Sequence, residues 1–182
     1  EESSCRKTWR EDEASRQDTA GQRLIVQTAG VRMVLYLVRH GEAVLKEMNS
    51  DRPLSDRGLA EVRHVSERAA KKDLLVTKIF HSGKMRAMQT ASILQDYLKP
   101  SSGIAETEGM NPKDDISGIL PLIESEDNIM LVGHLPFLEK LASYLVTGNQ
   151  DRRIVEFPTA GIVCLEKEQE KGPWKIRWRL TP

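Results

Sequence analysis

Leu37-Val38-Arg39-His40-Gly41-Glu42-Ala43 is the stretch that decides the fold. It closes an apolar run, Val34-Leu35-Tyr36-Leu37-Val38, on a cation, an imidazole and a glycine. A short continuous apolar run bounded in this way predicts a buried parallel strand rather than an amphipathic helix. Ligand sites in open α/β sheets lie beyond the carboxyl ends of such strands, so Arg39 and His40 stand where chemistry is expected. A lone Arg-His pair is more simply a strand cap, and the rest of the chain has to decide between the two.

Downstream, a polar loop through Asn49-Ser50-Asp51-Arg52-Pro53 leads to Leu59, Val62, Val65 and Ala69 at helical spacing. Ser55 is the expected N-cap and Asp56 a favourable first-turn carboxylate. Ile79-Phe80 predicts a second strand ending at His81-Ser82-Gly83. A helix follows with Ala87, Ala91, Leu94 and Leu98 on one face, stopping before Pro100. Residues 100–112 are rich in Ser, Gly and Pro and are expected to be loop, with a short helix over 114–123. Asn128-Ile129-Met130-Leu131-Val132 predicts another buried strand, ending on Gly133-His134. The next helix starts near Pro136 and is closed by Gly148. Three more strands are expected at 154–157, 161–166 and 174–180, with Trp174 and Trp178 on one face, read as core ahead of an exposed dimer surface. The order β-α-β-α-α-β-α-β-β predicts a three-layer α/β/α fold with a mostly parallel central sheet.

Upstream, residues 1–32 are mostly polar, and a disordered or non-native tail is expected there, with Leu24-Ile25-Val26 able to form a short strand. Met33 is the expected natural start of a domain over 33–182; mass spectrometry of the natural protein tests this, and a mature terminus at residue 1 would overturn it. The 182 residues suffice for one domain with a sizeable core. Zero formal net charge provides no overall field favouring nucleic acid or an anionic membrane, so neither is expected as a partner. No apolar run approaches the roughly 18 residues of a membrane span. The polar N-terminus lacks the apolar segment of a secretory signal. Cys5 and Cys164 form neither a Cys-x-x-Cys pair nor a disulfide framework, and a cytoplasmic setting is expected.

The three predicted strand ends carry comparable groups: Arg39-His40-Gly41, His81-Ser82-Gly83 with Arg86, and Gly133-His134. Parallel strands share one carboxyl edge, so these groups can converge. Guanidinium forks bind phosphate oxygens bidentately. A neutral imidazole among them can attack phosphorus, and the nearby positive charge keeps it neutral. Gly41 would let backbone approach the phosphate. The four histidines His40, His64, His81 and His134 show no zinc-type spacing, so no metal is expected. His64 is expected to be a solvated helix side chain; His81 fits a structural role near the site at least as well as a catalytic one.

These residues carry a resemblance. Leu37-Val38-Arg39-His40-Gly41-Glu42 resembles the Arg-His-Gly signature of the histidine phosphatase superfamily, the phosphoglycerate-mutase-like fold. Leu54-Ser55-Asp56-Arg57-Gly58, Ser82–Ala91 and Val132-Gly133-His134 are similar to its further landmarks, in family order. The resemblance implies that His40 is transiently phosphorylated, that Arg39 and Arg86 hold the phosphoryl group and that His134 completes the pocket, with no cofactor. Ser82 would help orient the phosphate, and Glu42 would be a loop residue. Gly83 departs from the Pro of many relatives, which is expected to change loop stiffness rather than chemistry.

Only residues 99–128 are available for the segment that, in many members, covers the site and supplies an acid, so the helical insertion is minimal. That shortness, with Asp51-Arg52-Pro53-Leu54-Ser55, Met110-Asn111-Pro112 and His134-Leu135-Pro136, resembles the SixA-type phosphohistidine phosphatases. Arg52 would then be a further phosphate contact. Expelling an alkoxide demands a placed general acid, whereas the imidazole of a phosphohistidine is far less basic. Glu108 is the first candidate acid and Asp114 the second, each against a plain reading as a solvated carboxylate. The expected substrate is a phosphorylated protein of the histidine-phosphotransfer type. A small phosphorylated metabolite is the alternative, and a phosphate-binding module without turnover the third reading.

Overall fold

A computed structural model describes residues 33–168 and 172–182. The tail expected over 1–32, its short strand and Cys5 lie outside the described residues.

Strand β1 (Met33–Arg39) is followed by α1 (Asp56–Ala70), β2 (Lys78–His81) and α2 (Met85–Leu98). Then come β3 (Ile104–Glu106), a 3-10 turn (Ile116–Gly118), α3 (Leu120–Ser125), β4 (Ile129–Gly133), α4 (Phe137–Thr147), β5 (Ile162–Lys167) and β6 (Lys175–Leu180). The strands form one sheet in the order β3-β2-β4-β1-β5-β6. The first four are mutually parallel, while β5 pairs antiparallel with both β1 and β6. Side chains alternate across a strand. Thus Leu35, Leu37 and Leu131 pack with Ile119, Ile123, Phe137 and Leu141 from α3, α4 and the turn before them. Tyr36, Val38, Met130 and Val132 pack on the other face with Val62 and Val65 of α1 and Ala91 and Leu94 of α2. The fold is therefore the expected three-layer α/β/α arrangement. Among the described residues no helix is long and apolar enough to cross a membrane.

Local signals behave as their chemistry dictates. Ser55 caps α1, its Oγ accepting from the Gly58 N–H at 3.0 Å, with Asp56 in the first turn. Gly148 ends α4 at φ 73°, its N–H bonding the Tyr144 carbonyl. Four expectations need correction. Residues 104–106 are not loop but an edge strand on β2, whose three residues are too few to show a period against their Ser/Gly-rich flanks. Residues 154–157 alternate as a strand would, with Val155 and Phe157 buried, yet join no sheet. Pro158 lacks the N–H needed to continue a ladder, and the Phe157 carbonyl is taken by Arg39. The helix expected over 114–123 is a 3-10 turn followed by α3. Trp174 and Trp178 lie on opposite faces, because the register of β6 shifts between Cys164↔Trp178 and Leu165↔Ile176. That bulge inserts Arg177 and reverses the faces on either side of it.

Candidate active site

Strand order decides the site. The strands ending at Arg39, His81 and Gly133 are β1, β2 and β4, and β4 lies between the other two. Arg39 is level with Gly133, and His81 with Val132. Because the three are parallel, their carboxyl ends share one edge, and His40, Ser82 and His134 come off it side by side.

His40 donates from Nδ1 to the carbonyl oxygen of Gly41 at 2.7 Å. A carbonyl only accepts, so this bond puts the ring proton on Nδ1 and leaves Nε2 unprotonated, able to accept. Arg86, in the first turn of α2, donates from Nε to that Nε2 at 3.2 Å. The His134 ring lies beside it, centroid to centroid 4.9 Å. Burial first, and then the charges of Arg86, Arg39 and Arg52, push the His40 pKa from 6.5 to about 4 against the opposing Gly41 bond. Burial, with His40, Arg86, Lys84 and Arg52 nearby, lowers His134 to about 3. Arg86 is itself lowered by burial and by Arg52. Both imidazoles are thus neutral near pH 7 within a cationic surround, which suits an anionic ligand.

The supporting bonds are specific. Ser82 Oγ is hydrogen-bonded to His134 Nε2 at 2.6 Å, whereas His134 Nδ1 is buried without a partner among the described residues. Arg39 donates from one terminal nitrogen to the Phe157 carbonyl at 2.7 Å. Arg52, in left-handed backbone at φ 51°, donates from Nε to the Val44 carbonyl. Gly41 owes its identity to packing: a Cβ there would meet Val62 Cγ2 at 2.6 Å and the Gly58 carbonyl at 3.0 Å. Its missing side chain therefore serves the close approach of α1, beyond the access to phosphate expected from the sequence. Glu42 receives a hydrogen bond from the Ser55 hydroxyl at 3.0 Å and so braces the α1 cap. His64 is exposed on α1. His81 is buried and accepts the Gly83 N–H on Nδ1, a structural role. Gly83 sits at φ +75°, a backbone that Pro, fixed near −65°, does not adopt.

The two candidate acids are placed differently. The Glu108 carboxylate is exposed and makes no hydrogen bond or ion pair among the described residues, while Asp114 accepts the Asn111 N–H at 2.7 Å. Glu106 was missed with its strand, and its carboxylate lies against Gly83 where a Cβ would otherwise sit. Thr90 was also missed. It is fully buried, accepts from the Gly41 N–H at 3.2 Å and donates to the Arg86 carbonyl at 2.7 Å, tying α2 to the His40 loop. The available signal was a hydroxyl on the apolar face of a helix, among Ala87, Ala91 and Leu94.

Comparison with known proteins agrees with this geometry. Residues 35–111 match the histidine phosphatase superfamily (branch 1). The phosphohistidine phosphatase SixA of Escherichia coli (strain K12) is 24% identical over 156 residues, covering 82% of this chain and 94% of that protein. An uncharacterized protein of Picosynechococcus sp. is 30% identical over 142 residues, covering 73% of this chain and 84% of that protein. The structure of the protein histidine phosphatase SixA complexed with tungstate superposes with a TM-score of 0.74 at 22% identity, covering 82% of this chain and 97% of that one. The chain belongs to the histidine phosphatase superfamily, and within it is similar to SixA.

Proposed function

We propose that residues 33–182 form a phosphatase that removes the phosphoryl group from phosphohistidine on a partner protein of the histidine-phosphotransfer type. The observation that carries this reading is the fixed tautomer of His40, which leaves Nε2 unprotonated beside Arg86. The Nε2 lone pair attacks phosphorus, the bond from phosphorus to the substrate imidazole breaks, and that imidazole takes up a proton from solvent water at the open edge as it leaves. Water then attacks the phosphohistidine on His40, releasing phosphate and restoring the ring. Arg39, Arg86 and Arg52 compensate the transferring anion, assisted by the N-terminal end of α2, and His134, oriented by Ser82, completes the pocket. The His40–Gly41 turn shapes its floor. No metal or other cofactor is required. The tungstate in the SixA structure supports an oxyanion site on this fold.

The choice of a protein substrate rests on residues 99–128. They contribute β3, the 3-10 turn and α3, whose Ile116, Ile119 and Ile123 are buried in the core rather than spread over the site. The catalytic edge is therefore left open, and no carboxylate is hydrogen-bonded to His40 or His134 among the described residues. Imidazole as leaving group makes only a small demand on an acid, so Glu108 is dispensable in this reading. The cysteine usage favours a cytoplasmic setting, and the zero net charge favours neither nucleic acid nor an anionic membrane as partner.

The test is hydrolysis of a phosphorylated histidine-transfer domain compared with a panel of sugar and glycerate phosphates. Vanadate-sensitive, chelator-insensitive activity on the protein, abolished in His40→Ala, is expected. Preference for the small esters would favour the metabolite reading, and phosphoprotein binding without turnover the module reading.

A further inference from the structure

Arg39 also borders a second space. A surface cavity of about 700 Å³ opens on the side of the sheet that carries α4. Its walls are Arg39, Leu135, Glu139, Arg153, Glu156, Phe157, Pro158, Arg179 and Thr181. The sheet explains why Arg179 is there. Strands β1 and β6 both pair antiparallel with β5, so they run in the same direction and end at the same edge. Arg179 is level with Val163, and Val163 with Leu37, which places Arg179 on the face from which Arg39 also projects, two residues after Leu37.

The charges in this cavity are unevenly matched. Arg153 is held by Glu139 at 3.2 Å and by Glu156 at 3.7 Å. Arg179 is exposed and has no ion-pair partner among the described residues, and Arg39 is bonded to a carbonyl rather than a carboxylate. Three guanidinium groups and two carboxylates therefore line the cavity. Arg153 engages both carboxylates, which leaves Arg39 and Arg179 without a carboxylate partner among the described residues, beside the apolar Leu135, Phe157 and Pro158. Leu135 directly follows His134, so the cavity adjoins the reacting centre, with Arg39 as the shared wall. A guanidinium fork of this kind matches a carboxylate.

We propose that this cavity recognises an acidic segment of the protein substrate flanking its phosphohistidine, with Arg179 as the principal carboxylate contact. The inference rests on the phosphohistidine reading and adds a specificity determinant to it. The occupant is peptide rather than a small acid because the cavity is open, elongates the catalytic edge and offers apolar surface to neighbouring side chains.

The experiment uses two synthetic peptides, each with one phosphohistidine, one flanked by glutamates and one by alanines. The acidic peptide is expected to show a KM lower by about fivefold, the size of one partly exposed ion pair, at unchanged kcat. Arg179→Glu, and to a lesser degree Arg179→Ala, should erase that preference. Arg63→Glu, an exposed change on α1 with the same effect on net charge, should retain it. Melting curves establish that each variant is folded. Equal KM values in the unaltered protein, a preference surviving Arg179→Glu, or its loss in Arg63→Glu would each overturn the inference while leaving the phosphatase reading intact. An Arg179→Glu defect on phosphoglycerate alone would overturn it in favour of a small-acid subsite. Failure to hydrolyse either peptide would bring down the phosphohistidine reading and this inference together.

Discussion

Ser82 Oγ lies 2.6 Å from Nε2 of His134, joining the ends of β2 and β4 across the carboxyl edge of the sheet. Because His134 Nδ1 has no partner among the described residues, this is the one hydrogen bond they give that buried ring. Ser82→Ala leaves both ring nitrogens unsatisfied, which costs about 1–3 kcal/mol. A lower urea midpoint at unchanged slope is expected, together with reduced turnover. An unchanged midpoint would mean that the ring finds another partner.

Arg86 holds His40 Nε2 through Nε and lies where a phosphoryl group would be clamped. Lysine keeps the charge and loses the fork, so Arg86→Lys is not a conservative change. We expect kcat/KM on phosphohistidine substrate to fall by about 10²–10³-fold, the loss typical of one preorganised donor to a transition-state oxygen. Steady-state kinetics checks this, and retention within threefold would remove Arg86 from the clamp.

The acid behaviour of the protein follows from His40. Its native pKa of about 4 lies below the ordinary 6.5, so between these values the unfolded chain binds the proton and the native protein does not. Stability from this group is therefore fully present above pH 6.5 and declines as pH falls towards about 4. His134 acts in the same direction. Nitrogen-15 histidine spectra should show His40 as the neutral Nδ1–H tautomer at pH 5.5, and Arg86→Ala should raise its pKa by removing a positive neighbour. A protonated His40 at pH 5.5 would contradict the buried, cationic surround.

Two glycines test the loops around the site. A Cβ on Gly58 would collide with the Glu42 carbonyl oxygen, so Gly58→Ala must displace the α1 cap from the His40 loop. Overpacking of this kind costs about 1–3 kcal/mol, and both Tm and activity should fall. Gly83→Pro forces φ from +75° to the proline value and should be at least as damaging.

Glu108 separates leaving groups. In Glu108→Gln, hydrolysis of phosphohistidine should hold within about threefold, whereas a required general acid would be worth about 10²–10⁴-fold. A loss of that size would make Glu108 the proton donor and shift the balance towards ester substrates.

The sequence by itself determined the layers and most of the residues that meet at the candidate site. Apolar runs ending in Arg39-His40, His81-Ser82 and Gly133-His134 announce buried parallel strands with reactive ends, because a strand buried on both faces has to be apolar throughout. Helix caps at Ser55 and Gly148 were legible for an equally local reason: each satisfies backbone groups within a few residues. What only the tertiary structure decided was non-local. Strand order sets β4 between β1 and β2 and so brings Ser82 to His134. A bulge in β6 sends Trp174 and Trp178 to opposite faces. Residues 154–157 leave the sheet because Arg39 takes the Phe157 carbonyl. The tautomer of His40 was equally unreadable from residue types, since it is set by one bond to the Gly41 carbonyl and by the loop geometry that makes that bond possible.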